Sequence, residues 1–354
     1  MIENRNQFAP KTMGNRLTVP MTRSKSKRPA AATATSPIAK AAELTSGPAP
    51  TAFVKADSGS SINNEAVFWH PRDNDTDREY HNVATSDYML PADMKEQNRL
   101  EFQHNMLKML FGDDIICPDA KRVVKRKGAK VLDVGCAAGA WLDAVFVYNS
   151  DAEYHGCDIA TELLDWPVAK CVFGNVLERL PYEDNSFDYV HQRFLTFGIP
   201  KNKWPAVVAE LIRVTKPGGW IELMEFDAVH HRMGPNHKKL ADAVYAMMRT
   251  KEIDLENAGN IAGYVDQGAR LASIDLAHFK KRTVSCPINW DGKIGAYAGK
   301  DLEFLFESLR PVMPKVLGVE PEEYDAMVKE LIEEAKTYKS FVNMTCVYAQ
   351  VVKK

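Results

Sequence analysis

The sequence predicts an α/β fold around a mostly parallel sheet. One observation is an apolar run that stops at glycines and restarts as a helix. Another is the series of four further apolar runs downstream, each separated from the next by a turn or a helical interval. With 354 residues, 45% of them hydrophobic, the chain is long enough to bury a full core.

The first run is VLDVGCAAGAW, Val131 to Trp141. Val131, Leu132 and Val134 supply the β-branched and apolar bulk of a strand buried on both faces. Gly135 and Gly139 let the backbone turn tightly and pass close to a ligand. Asp133 inside this strand is costly unless its charge has partners. A nucleotide-like cofactor sits at such a turn, although glycine turns also join strands to helices where no ligand binds. A dinucleotide fingerprint requires G-x-G-x-x-G, and here Ala137 occupies the second glycine position with no third glycine after Gly139.

The second strand, in YHGCDIA, ends at Asp158, about twenty residues downstream, where an acidic side chain reaches ribose hydroxyls. The third, Cys171 to Phe173, runs into Gly174, Asn175 and Val176, where a short polar side chain either meets an adenine edge or makes an ordinary asparagine turn. Phe187 to Val190 is the fourth, after the turn formers Glu183 to Ser186. Trp220 to Phe226 is the fifth, after Lys216, Pro217, Gly218 and Gly219.

Helices flank this series. Asp93 to Phe111 is a helix candidate with Leu100, Met106, Leu107, Met109 and Leu110, only partly spaced as one face. Asn236 to Arg249 reads as a helix, and so does the stretch from Ala262 to Ser273. A sixth strand, Phe279 to Cys286, and a last strand, Phe341 to Val351, are separated by an apolar interval too long for a hairpin loop and therefore helical.

In this order, YMLPADMKEQNRLEFQHNML, VLDVGCAAGAW, GCDIA, FGNVLERLPYEDNSFDYVHQRF and LIRVTKPGGWIELMEFD, between Tyr88 and Asp227, resemble the class I S-adenosylmethionine-dependent methyltransferases, in particular the fungal branch that includes LaeA-like regulators of secondary metabolism. The resemblance implies a Rossmann-like, seven-stranded, mostly parallel sheet with helical insertions forming a lid. It implies S-adenosylmethionine as cofactor, its methionine moiety against Asp133, Gly135 and Gly139, its ribose on Asp158, and its adenine near Asn175 and Val176. Cys136, Ala137, Ile159 and Gln192 complete the implied cofactor contacts, and the helix beside the cofactor offers Arg99, Gln103 and His104 as contacts to the methionine carboxylate or to substrate, or else as plain exposed helix residues. Two positions depart from the family pattern: Ala137 in the glycine loop, and Asn175 where an aspartate is usual. The amide of Asn175 can donate as well as accept.

A methyl on sulfonium is already activated, so such an enzyme chiefly holds a nucleophile in line and excludes water. A base is needed only if the nucleophile must lose a proton. In this fold His191, Gln192 and Arg193 face the methyl. His191 and Arg193 are thus the candidate catalytic residues, His191 as a base, or else they only orient the strand end. The Asp/Asn-Pro-Pro-Tyr signature of many amino-group methylating enzymes is absent, against adenine or glutamine amide acceptors. The implied function is methyl transfer to a small-molecule or protein acceptor, with a link to fungal secondary metabolism. The alternative is a cofactor-binding regulator acting through partner proteins with little transfer. A nicotinamide-dependent oxidoreductase is disfavoured by the missing third glycine.

Residues 1–62, rich in Ser, Thr, Ala and Pro with Arg16, Arg23, Lys25, Lys27 and Arg28, are expected to be a disordered basic tail. RSKSKRP within it suits nuclear import, a mitochondrial transit peptide, or a solvated tail with no address. A helical extension over 63–128 then leads into a methyltransferase domain over 129–354, with helical insertions at about 229–278 and 289–340. No apolar stretch approaches the roughly 18 residues of a membrane span, and no secretion signal is visible, so the expected location is cytoplasmic or nuclear.

The net charge of −2 does not argue for a polyanionic partner. The basic run Lys121 to Lys130 lacks interleaved aromatics and reads as a solvated helix end rather than a nucleic-acid patch. The six cysteines form no C-x-x-C pair, so neither zinc nor disulfides are indicated. His230, His231 and His237 lack regular carboxylate or thiolate company, and no metal is expected.

Overall fold

The computed structural model describes residues 78–160, apart from 82, 84 and 87, and residues 169–353. The expected tail, residues 1–62, lies outside the described residues. Helix α1 is Met94–Phe111. Asp93 caps it by accepting a hydrogen bond from the Glu96 amide at 3.0 Å, and Gly112 ends it in the left-handed region at φ 82. Helix α2, Pro118–Val124, starts on a proline, which suits the first turn because the missing N–H has no partner there.

Seven strands follow in chain order: β1 Lys130–Val134, β2 Glu153–Asp158, β3 Ala169–Phe173, β4 Phe187–Arg193, β5 Thr215–Phe226, β6 Asp275–Pro287 and β7 Phe341–Val352. The spatial order is β3-β2-β1-β4-β5-β7-β6. The first five strands run parallel, and β7 is antiparallel to both neighbours. The expected seven-stranded, mostly parallel sheet is therefore the one observed. Lys216 to Gly219 do not precede the fifth strand. They form a bulge inside it, where pairing jumps from Phe187–Thr215 to Tyr189–Trp220. β6 also starts earlier than the apolar pattern suggests, because as an edge strand it carries polar residues on its open face. Lys280, Lys281 and Arg282 there discourage pairing with another chain.

The helices between strands cover both faces. Helix α3, Ala140–Phe146, packs with α2 against one face through Trp141, Leu142, Val145, Val123 and Val124. The opposite face carries helix α4, Trp204–Val214, and helix α6, Ile261–Leu271, over Leu132, Val190, Ile221 and Val347. Between these two helices in sequence lies α5, Pro235–Arg249, whose Leu240, Ala243, Val244, Met247 and Met248 recur at helical spacing on one buried stripe.

A third apolar cluster lies around Met224, Cys286, Val342 and Met344 on β5, β6 and β7. It joins α1 and α5 to helices α7 (Gly292–Leu309), α8 (Met313–Leu317) and α9 (Pro321–Thr337). The interval between the last two strands is helical, as its length requires. Among the described residues no helix is long and apolar enough to cross a membrane.

Candidate functional site

A cleft of about 640 Å³ opens at the carboxyl ends of β1, β2 and β4, the position where a parallel sheet leaves room for a ligand. The turn after β1 forms one wall. Gly135 is held at φ 72, and a Cβ there would come within 2.5 Å of the Leu195 side chain, so the backbone stays bare. Gly135 and Cys136 donate amide hydrogen bonds to the Cys157 carbonyl at 2.8 and 3.2 Å. Ala137 takes a left-handed φ of 45, a conformation that costs a side-chain-bearing residue about 1–2 kcal/mol. Gly139 starts α3 at φ 85 but lies behind the wall rather than on it.

Asp158, the last residue of β2, ties this turn to the next strand. One carboxylate oxygen accepts from the Ala137 amide and the other from the Ala160 amide, each at 2.9 Å. Burial raises its pKa above the ordinary aspartate value, partly opposed by those amide donors. Ile159 and Val176 line the cleft beside it. Asn175 also lines it, but its side chain is committed elsewhere. The carbonyl accepts from the Leu177 amide at 3.0 Å, and the Nδ2 donates toward Thr85 and Glu178.

Sheet register puts three ionisable residues in one row, Asp133 on β1 opposite His191 on β4, and His191 opposite Glu222 on β5, and the first two of them line the cleft. His191 Nδ1 donates to Asp133 Oδ1 at 2.8 Å, so the charge buried in β1 has its partner. Glu222 is fully buried and accepts the Ile116 and Cys117 amides at 3.1 and 2.7 Å, which fixes the lead into α2. Burial raises its pKa.

Arg193 ends β4 at the cleft wall, and Nη1 donates to His104 Nδ1 at 3.3 Å. Burial and the neighbouring guanidinium hold the His104 pKa down to about 4, so this imidazole is neutral and its Nδ1 free to accept. The far nitrogen of His104 lies 3.4 Å from Asp114, which also pairs with Lys108 at 2.7 Å.

Two residues expected at the cofactor lie elsewhere. Arg99 is turned away from the cleft into a buried cluster, with Nη2 donating to Glu96 at 2.6 Å and Nη1 to Asp301 on α7 at 3.0 Å. Two buried carboxylates outcompete an open cleft for one guanidinium. Gln192 is likewise absent from the wall. Side chains alternate along β4, so its neighbours His191 and Arg193 face the cleft while Gln192 points to the other side and donates to Glu225 at 2.6 Å.

Glu225 was not singled out from sequence. Fully buried on β5, it also accepts from the Leu195 amide at 2.8 Å and the Thr196 hydroxyl at 2.7 Å, and so holds the loop that closes over Gly135. The signal was present, since WIELMEF places two carboxylates in an apolar strand, the same anomaly that marks Asp133. Among the described residues no group of three or more His, Cys, Asp or Glu is arranged to hold a metal ion.

Residues 131–219 match a family model described as a methyltransferase domain. The observed strand order and glycine turn agree with that match and with the class I methyltransferase fold expected from the sequence. Three of the chain's sequence relatives are fungal proteins. The chain is 30% identical over 184 residues to the N-methyltransferase tcpN of Claviceps purpurea (strain 20.1), covering 50% of this chain and 62% of that protein. It is 25% identical over 279 residues to the N-methyltransferase sirN of Leptosphaeria maculans, covering 76% and 96%. It is 30% identical over 156 residues to the secondary metabolism regulator laeA of Coprinopsis cinerea (strain Okayama-7 / 130 / ATCC MYA-4618 / FGSC 9003), covering 42% and 38%.

Proposed function

We propose that the chain transfers a methyl group from S-adenosylmethionine to a small-molecule acceptor held between the cleft and the helices of the third cluster. The observation that carries this reading is the meeting of Asp158 with the bent backbone at Gly135 to Ala138 on one wall of an ample cleft.

The residues present suit the cofactor. Asp158 is fixed by two amides and borders the cleft, where its carboxylate can accept both hydroxyls of a ribose. The bare turn at Gly135 leaves room for a thioether chain. Arg193, which keeps its head at the cleft wall, takes the carboxylate role for which Arg99 is misplaced. Ile159 and Val176 offer apolar contact to a purine, while the committed side chain of Asn175 favours backbone recognition there.

When bound, S-adenosylmethionine supplies a methyl already activated by its sulfonium. What this chain contributes is placement and exclusion of water, which suffice for an acceptor with a free lone pair. The arrangement of His191 agrees, since its Nδ1 is engaged by Asp133 and its ring is clamped by an aromatic neighbour.

Calorimetric titration with S-adenosylhomocysteine tests the site. Binding that is weakened at least tenfold in Arg193→Met and retained in Lys108→Met is expected. No binding to the wild-type chain rejects the reading. Labelled methyl donor incubated with fractionated fungal extract should then mark the small-molecule fraction. Tight cofactor binding with no transfer to any fraction would favour the regulator instead.

A further inference from the structure

Beyond the cleft lies a chamber of about 80 Å³, reached through Tyr88, Leu90, Leu100, Gln103 and Phe194, which border both spaces. Phe226, Leu302, Leu305 and Met344 make its walls apolar. Its ionic groups are consumed among themselves. One Asp301 oxygen takes Arg99 at 3.0 Å and the other takes Gln103 at 3.1 Å, while the rest of the guanidinium is spent on Glu96. The two carboxylates share one guanidinium, Ser308 donates to the second Glu96 oxygen at 3.0 Å, and burial raises the pKa of Asp301, so the hydrogen-bonding positions of the cluster are taken within it.

His230, like Tyr88, is a further polar residue on the wall. Its Nδ1 lies 2.7 Å from Nε2 of His237 on α5, and only one of the two nitrogens carries the shared proton. The second nitrogen of His237, Nδ1, is buried with no hydrogen-bond partner. If His230 donated to His237, a proton would sit on that orphan Nδ1, and buried N–H groups without acceptors are the rarest and most costly kind. The cheaper arrangement protonates His237 at Nε2 and leaves a lone pair on Nδ1. His230 then accepts at Nδ1 and carries its own proton on Nε2, the ring nitrogen that this pairing leaves to a residue on the chamber wall. Burial holds the pKa of His230 down to about 3 and that of His237 down to about 4, so both rings are neutral and the tautomer, not a charge, decides the chemistry.

We propose that this chamber anchors the inner end of the acceptor and that His230 donates a hydrogen bond there, so the acceptor is an uncharged, largely apolar molecule bearing a carbonyl-type oxygen. The role of the oxygen-bearing molecule as methyl acceptor rests on the function proposed above. The chamber has room for about one small ring, so the remainder of the acceptor lies in the larger cleft. An ammonium group in place of the oxygen would face an N–H donor, and a hydrocarbon would leave that donor unpaired.

Two probes of matched shape separate these cases: 1-methyl-2-pyridone, which carries the oxygen, and ortho-xylene, which replaces it with a methyl. In NMR titrations His230→Phe should weaken pyridone binding at least fivefold while xylene binding stays within twofold, and His230→Gln, which keeps an N–H, should recover most of the pyridone affinity. In parallel, long-range nitrogen–proton correlation on histidine-labelled wild-type protein should show His230 protonated at Nε2. Equal loss of both probes, loss of neither, or protonation at Nδ1 overturns the proposal. The nitrogen measurement needs no variant to fold. Calorimetry with S-adenosylhomocysteine separates the two levels: if the cofactor product fails to bind while the pyridone preference and tautomer hold, the acceptor role falls and the donor assignment stands.

Discussion

The imidazole of His191 lies flat on the indole of Trp141, ring centroids 3.9 Å apart and planes within 2° of parallel. Trp141 is itself fixed, since its Nε1 donates to the Asp114 carbonyl at 2.8 Å. On its edge His191 donates to Asp133 at 2.8 Å. A ring held on a face and an edge at once is a poor proton shuttle and a good spacer. We expect His191→Leu to lower stability by about 1–3 kcal/mol through the unpaired buried carboxylate of Asp133. The variant should weaken cofactor binding, yet leave the pH profile of residual transfer superimposable on that of the wild type. Loss of one limb of that profile would restore His191 as a base.

The central strands were legible in the sequence because each is a short, largely apolar run buried between helices, the exposed edge strands β3 and β6 were legible only in part, and the turn after β1 was legible because its glycines interrupt such a run. Sequence spacing placed Asp133 beside Gly135, but it was silent on His191 as the partner, because that contact is set by sheet register across 58 positions. Arg99 failed for a related reason. Its helix was recognised, yet the competing carboxylate, Asp301, lies 202 positions away on a helix whose packing no local pattern records. Gln192 failed on alternation, which the run Tyr189 to Arg193 did carry: neighbours on a strand face opposite ways.

Asp158 should dominate cofactor affinity. Charge-assisted hydrogen bonds are worth about 1.5–3 kcal/mol, so Asp158→Ala should weaken S-adenosylhomocysteine binding by roughly tenfold or more. Burial raises the pKa of Asp158, and a ribose prefers its ionised form. Affinity should therefore fall as the pH falls through that raised value, at higher pH than an ordinary aspartate would give. Calorimetry across the acidic range checks both effects, and a flat profile would remove Asp158 from the contact.

Ala137 makes an opposite prediction. It occupies a left-handed conformation at φ 45 while its amide serves Asp158. Ala137→Gly relieves about 1–2 kcal/mol of backbone strain and gives back about 0.5–1 kcal/mol in unfolded-chain entropy. A small net gain in stability should appear as a higher denaturant midpoint with an unchanged slope. Gly135→Ala, by contrast, should destabilise, because it adds the same strain at φ 72 and pushes Leu195 into the cleft.

Glu225 couples stability to pH. Burial raises its pKa to about 7 against an unfolded value near 4.5, with Thr196, Leu195 and Gln192 pulling the other way. Between those two values the folded chain holds the proton more tightly than the unfolded chain, so the contribution favours folding below about pH 5 and is lost as the pH rises toward 7. Gln192 Oε1 is buried with no hydrogen-bond partner, so an amide flip would let protonated Glu225 donate to that oxygen. Denaturant unfolding should show stability from this group falling by about 2–3 kcal/mol between pH 5 and 8. Glu225→Gln should flatten that slope. It should also lower stability at every pH, because its amide nitrogen would face the donors of Leu195 or Thr196 where a carboxylate accepted them. An unchanged slope in the variant would assign the pH dependence to another buried acid, with Glu222 the next to test.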